Sequence, residues 1–69
     1  MNELKKRFEQ FREEFPALGD VIIMSMAVEN MRYPKKTIIF AFYNLVSKEE
    51  YDKAESSEIV NSLYNYSNK

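Results

Sequence analysis

Two dense apolar runs separated by a short polar hinge constrain this chain more than any other feature. Residues 21–28 read Val-Ile-Ile-Met-Ser-Met-Ala-Val, and residues 37–46 read Thr-Ile-Ile-Phe-Ala-Phe-Tyr-Asn-Leu-Val. The hinge between them, residues 29–36, reads Glu-Asn-Met-Arg-Tyr-Pro-Lys-Lys and holds a compact basic cluster. A domain of about 60 residues buries only roughly 60% of its unfolded surface. A chain of 69 residues therefore builds one core, and these runs supply most of it. The expectation is a single small domain over residues 1–69.

The second run decides the fold class. Ile38, Ile39, Phe42, Leu45 and Val46 fill an i, i+1, i+4, i+7, i+8 helical template. As a strand its faces would read Ile38, Phe40, Phe42, Asn44 and Ile39, Ala41, Tyr43, Leu45, with no alternation of apolar and polar. A tight β-hairpin also favours a Gly or Asn-Gly turn, and the connection contains no glycine. In the first run Leu18, Val21, Ile22, Ser25, Val28 and Met31 fit helical spacing, while Ile23, Met24, Met26 and Ala27 make the segment apolar nearly all round. Such a helix belongs at the centre of a domain. The β-branched Val21, Ile22 and Ile23 favour a strand, and Met24, Met26 and Ala27 tip the balance to helix.

The flanking segments read as helices too. Leu4, Phe8, Phe11 and Phe15 share one stripe, opposite Lys5, Lys6, Glu9, Glu13 and Glu14, and should lie across the central runs. Pro16 ends that helix, because proline disfavours the α conformation of the residue before it. It either opens the next helix, or Asp20 caps one that begins at Val21. Further on, Ser47 to Glu50 and Asp52 to Glu55 each have capping-box spacing. A turn over 48–51 then leads to a helix from about Lys53 to Tyr66, with Ile59, Val60, Leu63 and Tyr66 on its apolar face. The fold class is all-α, a bundle of three to four helices. The alternative is an α+β arrangement, helix–β-hairpin–helix.

Composition narrows the chemistry. The chain has no histidine and no cysteine, which removes the commonest general base, the commonest metal ligand and the thiol nucleophile. Its single glycine, Gly19, cannot form a phosphate-binding loop. The carboxylate pairs Glu13 with Glu14, Glu49 with Glu50 and Glu55 with Glu58 read as solvated helix surface and caps. No enzymatic activity, cofactor, metal or small-molecule substrate is expected. No apolar run approaches the roughly 18 residues of a membrane span. The N-terminus is charged and amphipathic, unlike a signal peptide. A cytoplasmic location is the simplest expectation.

The surplus of large apolar side chains points to binding. A core this small cannot enclose all of Met24, Met26, Phe40, Tyr43, Tyr64 and Tyr66, and exposed apolar patches mark partner sites. The expected function is a protein-interaction module that binds a partner protein or itself as a homo-oligomer. By size and composition alone, it is of the style of regulators and inhibitors encoded by phages and mobile elements. The alternative is a small helix-turn-helix transcriptional regulator. Arg32, Lys35, Lys36 and Thr37 would then meet DNA at the start of the second helix. The net charge of −1 weighs against that reading, since phosphate contacts supply most non-specific affinity.

Overall fold

In a computed structural model the chain forms an all-α bundle, described over residues 2–48 and 57–69. Among the described residues there are four helices: α1 (Asn2–Glu14), α2 (Asp20–Val28), α3 (Lys35–Leu45) and α4 (Glu58–Ser67). No strand occurs among them, so residues 21–46 do not form a β-hairpin. Helix packing runs from α1 to α2, α2 to α4, α4 to α3 and α3 back to α1. In this ring α2 and α3 lie diagonally opposite each other.

Directions follow from contacts at the two ends. Arg7 Nε donates to the Ala27 carbonyl at 2.9 Å, and Arg12 approaches Asp20 at 3.8 Å, so α1 and α2 are antiparallel. The Arg7 cation also satisfies a carbonyl in the last turn of α2, where the helix dipole favours positive charge. The backbone N–H of Arg32 donates to the Ser67 carbonyl at 2.8 Å, which brings the end of α2 to the end of α4. Hence α2 and α4 run side by side in the same direction. The start of α3, beside the end of α4, runs the opposite way.

One cluster of side chains joins all four helices. Leu4 and Phe8 come from α1, Ile23, Met24, Ala27 and Val28 from α2, Ile38, Ile39, Ala41 and Phe42 from α3, and Val60 and Leu63 from α4. The periodicity of α1 and α3 predicts these faces. The α1 stripe, however, stops short of Phe15, which is 40% exposed. Its helix ends at Glu14, and a turn follows in which the Leu18 N–H donates to the Phe15 carbonyl at 3.1 Å with Pro16 at the second position. Pro16 therefore begins a turn, not a helix. Gly19 occupies the N-cap of α2, so Asp20 is the first helical residue and places its charge near the positive end of the dipole.

Two expectations are corrected at α2 and α4. Helix α2 is not enclosed all round: Ile23, Met24, Ala27 and Val28 face the core, while Val21 and Ile22 face outward. Helix α4 begins at Glu58, because Ser57 is extended and its hydroxyl accepts the Ile59 N–H at 3.2 Å. The buried face also differs from the expected one. Val60, Leu63 and Ser67 point inward and Ile59 points out. The capping motif expected at Asp52, and most of the one at Ser47, lie outside the described residues.

The connector 29–34 crosses the end of the bundle to reach the diagonal helix. Asn30 and Arg32 take left-handed backbone conformations, φ 58° and 56°. Asn tolerates this region, whereas for Arg it is costly and must be held in place. The holding groups come from α4. Besides the Arg32 bond to its carbonyl, Ser67 accepts the Tyr33 N–H on its hydroxyl at 2.9 Å. Asn68 Nδ2 donates to the Tyr33 carbonyl at 3.1 Å. Ser67 is fully buried, a polar residue retained in the interior because it clamps this crossing.

Candidate interaction surface

The parallel pair α2 and α4 leaves an open groove on its outer side. Val21, Ile22 and Ser25 form one wall, and Glu58, Ile59, Ser62, Leu63 and Tyr66 form the other, enclosing about 420 Å³. The groove exists because each helix turns β-branched residues outward beside a small one. Val21, Ile22 and Ile59 are 39%, 52% and 44% exposed. Ser25 and Ser62 lie between them and Tyr66 along the groove, too short to fill it. The Ser25 hydroxyl bonds back to the Ile22 carbonyl at 2.6 Å, which withdraws its polarity from the groove.

Charge is distributed along the groove rather than across it. Glu58 sits at the end where both helices begin, the end at which Asp20 of α2 lies 3.8 Å from Arg12. At the other end Lys69 Nζ lies 5.3 Å from the centroid of the Tyr66 ring. The Tyr66 hydroxyl hydrogen-bonds to the Glu29 carboxylate, and that bond together with the nearby negative charge raises the phenol above its ordinary pKa of 10.0. An apolar centre thus lies between an end marked by Glu58 and an end where the Lys69 ammonium and the Glu29 carboxylate both flank Tyr66.

The residues singled out from sequence do not converge on one surface. Met24 is fully buried in the core and offers nothing to a partner. Met26 and Tyr64 are partly buried against that core. Phe40, 47% exposed, and the half-buried Tyr43 are on α3, away from the groove. Only Tyr66 of that set lines it. The groove residues Val21, Ile22 and Ile59 read from sequence as core, and the signal that separates them is the serine at Ser25 and Ser62, each near the middle of its outward stripe.

Arg32, Lys35, Lys36 and Thr37 are adjacent at the connector and the first turn of α3, with Arg32 and Lys36 exposed and Lys35 and Thr37 half-buried. A helix-turn-helix joins two mutually packed helices by a turn of about 3–4 residues. Here the two helices are diagonal partners, and the longer connector 29–34 is tied to α4 instead. Arg32 contributes its backbone to that clasp. Among the described residues no helix is long and apolar enough to cross a membrane, and no cluster of carboxylates with metal-binding geometry occurs. Comparison with protein-family models, curated proteins and solved structures finds no match for this chain.

Proposed function

We propose that this chain is a small non-enzymatic protein-interaction module, of the regulator or inhibitor kind, that receives the apolar face of a protein helix in the α2/α4 groove. The observation that carries this reading is the outward exposure of Val21, Ile22 and Ile59 around one concavity. Single exposed aliphatic residues are ordinary on protein surfaces, but several gathered in a cleft mark a binding site. Two parallel helices with small residues between them offer a trough about 12 Å long, from Glu58 to Tyr66 at 1.5 Å per residue. That suits a partner helix seated through a few apolar anchors.

The test compares immobilised wild-type protein with the double variant Ile22→Asp, Ile59→Asp, exposed to a lysate of the native host. Both positions face solvent, so circular dichroism should show the fold unchanged. Wild type should retain a defined protein, this chain included, that the double variant releases. Equal retention by both would refute the groove reading. Retention of nucleic acid that Lys35→Ala with Lys36→Ala abolishes, and that falls steeply with salt, would instead favour the DNA-binding reading.

A further inference from the structure

We infer that the end of the bundle formed by the starts of α1 and α3 and the ends of α2 and α4 docks on the phosphate backbone of duplex nucleic acid, without regard to base sequence. The net charge of −1 conceals a sorting of charge by end. Because α1 and α3 run opposite to α2 and α4, Lys5, Lys6, Arg32, Lys35 and Lys36 gather at one end. Glu13, Glu14, Asp20 and Glu58 lie at the other, where the cations are Lys48 and Arg12, the latter 3.8 Å from Asp20. At about 100° per residue, Arg7 and Lys5 flank the Leu4–Phe8 stripe of α1 on opposite sides. Arg7 reaches Ala27 of α2, so Lys5 lies on the side of α3, which begins at Lys35.

Other charges at this end are already committed. Arg7 bonds to the Ala27 carbonyl, and Lys69 and Glu29 flank Tyr66 and offset each other. That leaves Glu3 against five cations, none with an ion-pair partner among the described residues. Lys35 and Lys36 also stand in the first turn of α3, which holds no acidic residue. There they oppose the helix dipole, and both the cations and the dipole favour an external anion. The class of anion follows from what the face lacks. The exposed large apolar side chains Phe15, Leu18, Val21, Ile22, Phe40 and Ile59 all lie elsewhere. The face therefore has neither the apolar centre of a protein interface nor a side chain to bury in a membrane. Single strands are held by stacking on aromatic rings, and Tyr33 and Tyr66 are half-buried. A duplex backbone needs only cations, and the acidic end, repelled by it, orients the approach.

Fluorescence anisotropy of a labelled duplex of about 20 base pairs, titrated with the full chain across a salt series, tests the face. Wild type should bind at low salt, and about four phosphate contacts give a slope of log K on log salt of roughly −4. Lys5→Ala with Lys6→Ala should reduce that slope by about 2, and so should Lys35→Ala with Lys36→Ala. Lys48→Ala, the same change at the opposite end, should leave it unaltered. Ile22→Asp with Ile59→Asp should bind the duplex as wild type does, so the groove reading and this one fail separately. No binding at about 20 mM salt overturns the inference. So does a Lys5, Lys6 double variant that binds as wild type, which confines contact to the start of α3. A preference above about tenfold among unrelated duplexes also overturns it. Tighter binding to a single strand or to phosphatidylserine vesicles than to the duplex does the same.

Discussion

Replacing Ser67 by alanine removes one oxygen from the interior and isolates the contribution of the clasp that holds the crossing connector. The hydroxyl accepts the Tyr33 N–H at 2.9 Å, whereas the Arg32 N–H bonds to the Ser67 main-chain carbonyl at 2.8 Å and survives the substitution. What is lost is a single bond to a partly buried donor. A net hydrogen bond contributes about 0.5–1.5 kcal/mol, and a donor left without a partner costs about 1–3 kcal/mol, so a loss of about 1–2 kcal/mol is expected. The side chain is small, so cavity formation adds little. A chain of this length has a total stability of roughly 3–10 kcal/mol at 0.05–0.15 kcal/mol per residue, which makes the loss substantial. The melting midpoint should fall by roughly 4–16 °C. Urea unfolding at one fixed, low protein concentration measures the change without interference from self-association. Asn68→Ala, which removes exposed bonds to the Tyr33 and Tyr64 carbonyls, tests the solvent-facing part of the same clasp and should cost no more than about 0.5 kcal/mol. A Ser67→Ala variant within about 0.3 kcal/mol of wild type would refute the clasp, since it would mean the Tyr33 N–H finds water as readily as the serine.

Tyr33→Phe should be neutral or stabilise the fold by up to about 1 kcal/mol in the same urea assay, because the hydroxyl is buried with no hydrogen-bond partner among the described residues. A loss above about 1 kcal/mol would show that the hydroxyl is satisfied. Stability should also decline in alkali. Tyr33 is held above 10.0 by burial and by Glu3, partly offset by Arg7, and Tyr66 is held above it by Glu29. Both folded values lie above the unfolded one, so this contribution is intact below pH 10.0 and fades as pH rises through the folded values. Absorbance at about 295 nm, the ionised-phenol band, follows the titration. Glu29→Gln should return Tyr66 towards its ordinary value, and an unchanged titration would remove the Tyr66–Glu29 bond.

How much of this was legible in the sequence depends on periodicity and its failure. Helix α3 reads cleanly because Ile38, Ile39 and Phe42 recur at helical spacing, with Lys36 before them and Asn44 between Phe42 and Leu45. Helix α2 does not, since a segment apolar on nearly every side carries no information about which side is buried. Val21 and Ile22 were therefore indistinguishable from Ile23 and Met24, and the aromatic surplus drew attention to Phe40 and Tyr43 instead. The start of α4 depended on a choice between capping residues. Ser57 lacks the Glu three positions later that makes a capping box conspicuous, so its role shows only in its extended backbone and its bond to Ile59. The clasp was invisible for a different reason. Ser67 pairs with Tyr33 across 34 positions, and no local pattern announces such a contact.

The diagonal crossing sets an order of assembly. The α1–α2 pair closes through the contact of Arg7 with Ala27, only 20 positions apart, and its antiparallel turn needs nothing from the rest of the chain. The crossing connector has no such independence: its left-handed Arg32 and the N–H of Tyr33 are held by residues that arrive after Glu58. A nascent chain that has produced α3 but not α4 therefore has a helical hairpin and an amphipathic third helix with no fixed route to its place. Docking of α4 supplies Val60 and Leu63 to the core and locks the crossing in the same step. Residues 1–48 alone should then behave as a collapsed, exchanging state, and cooperativity should enter the fold with its final helix.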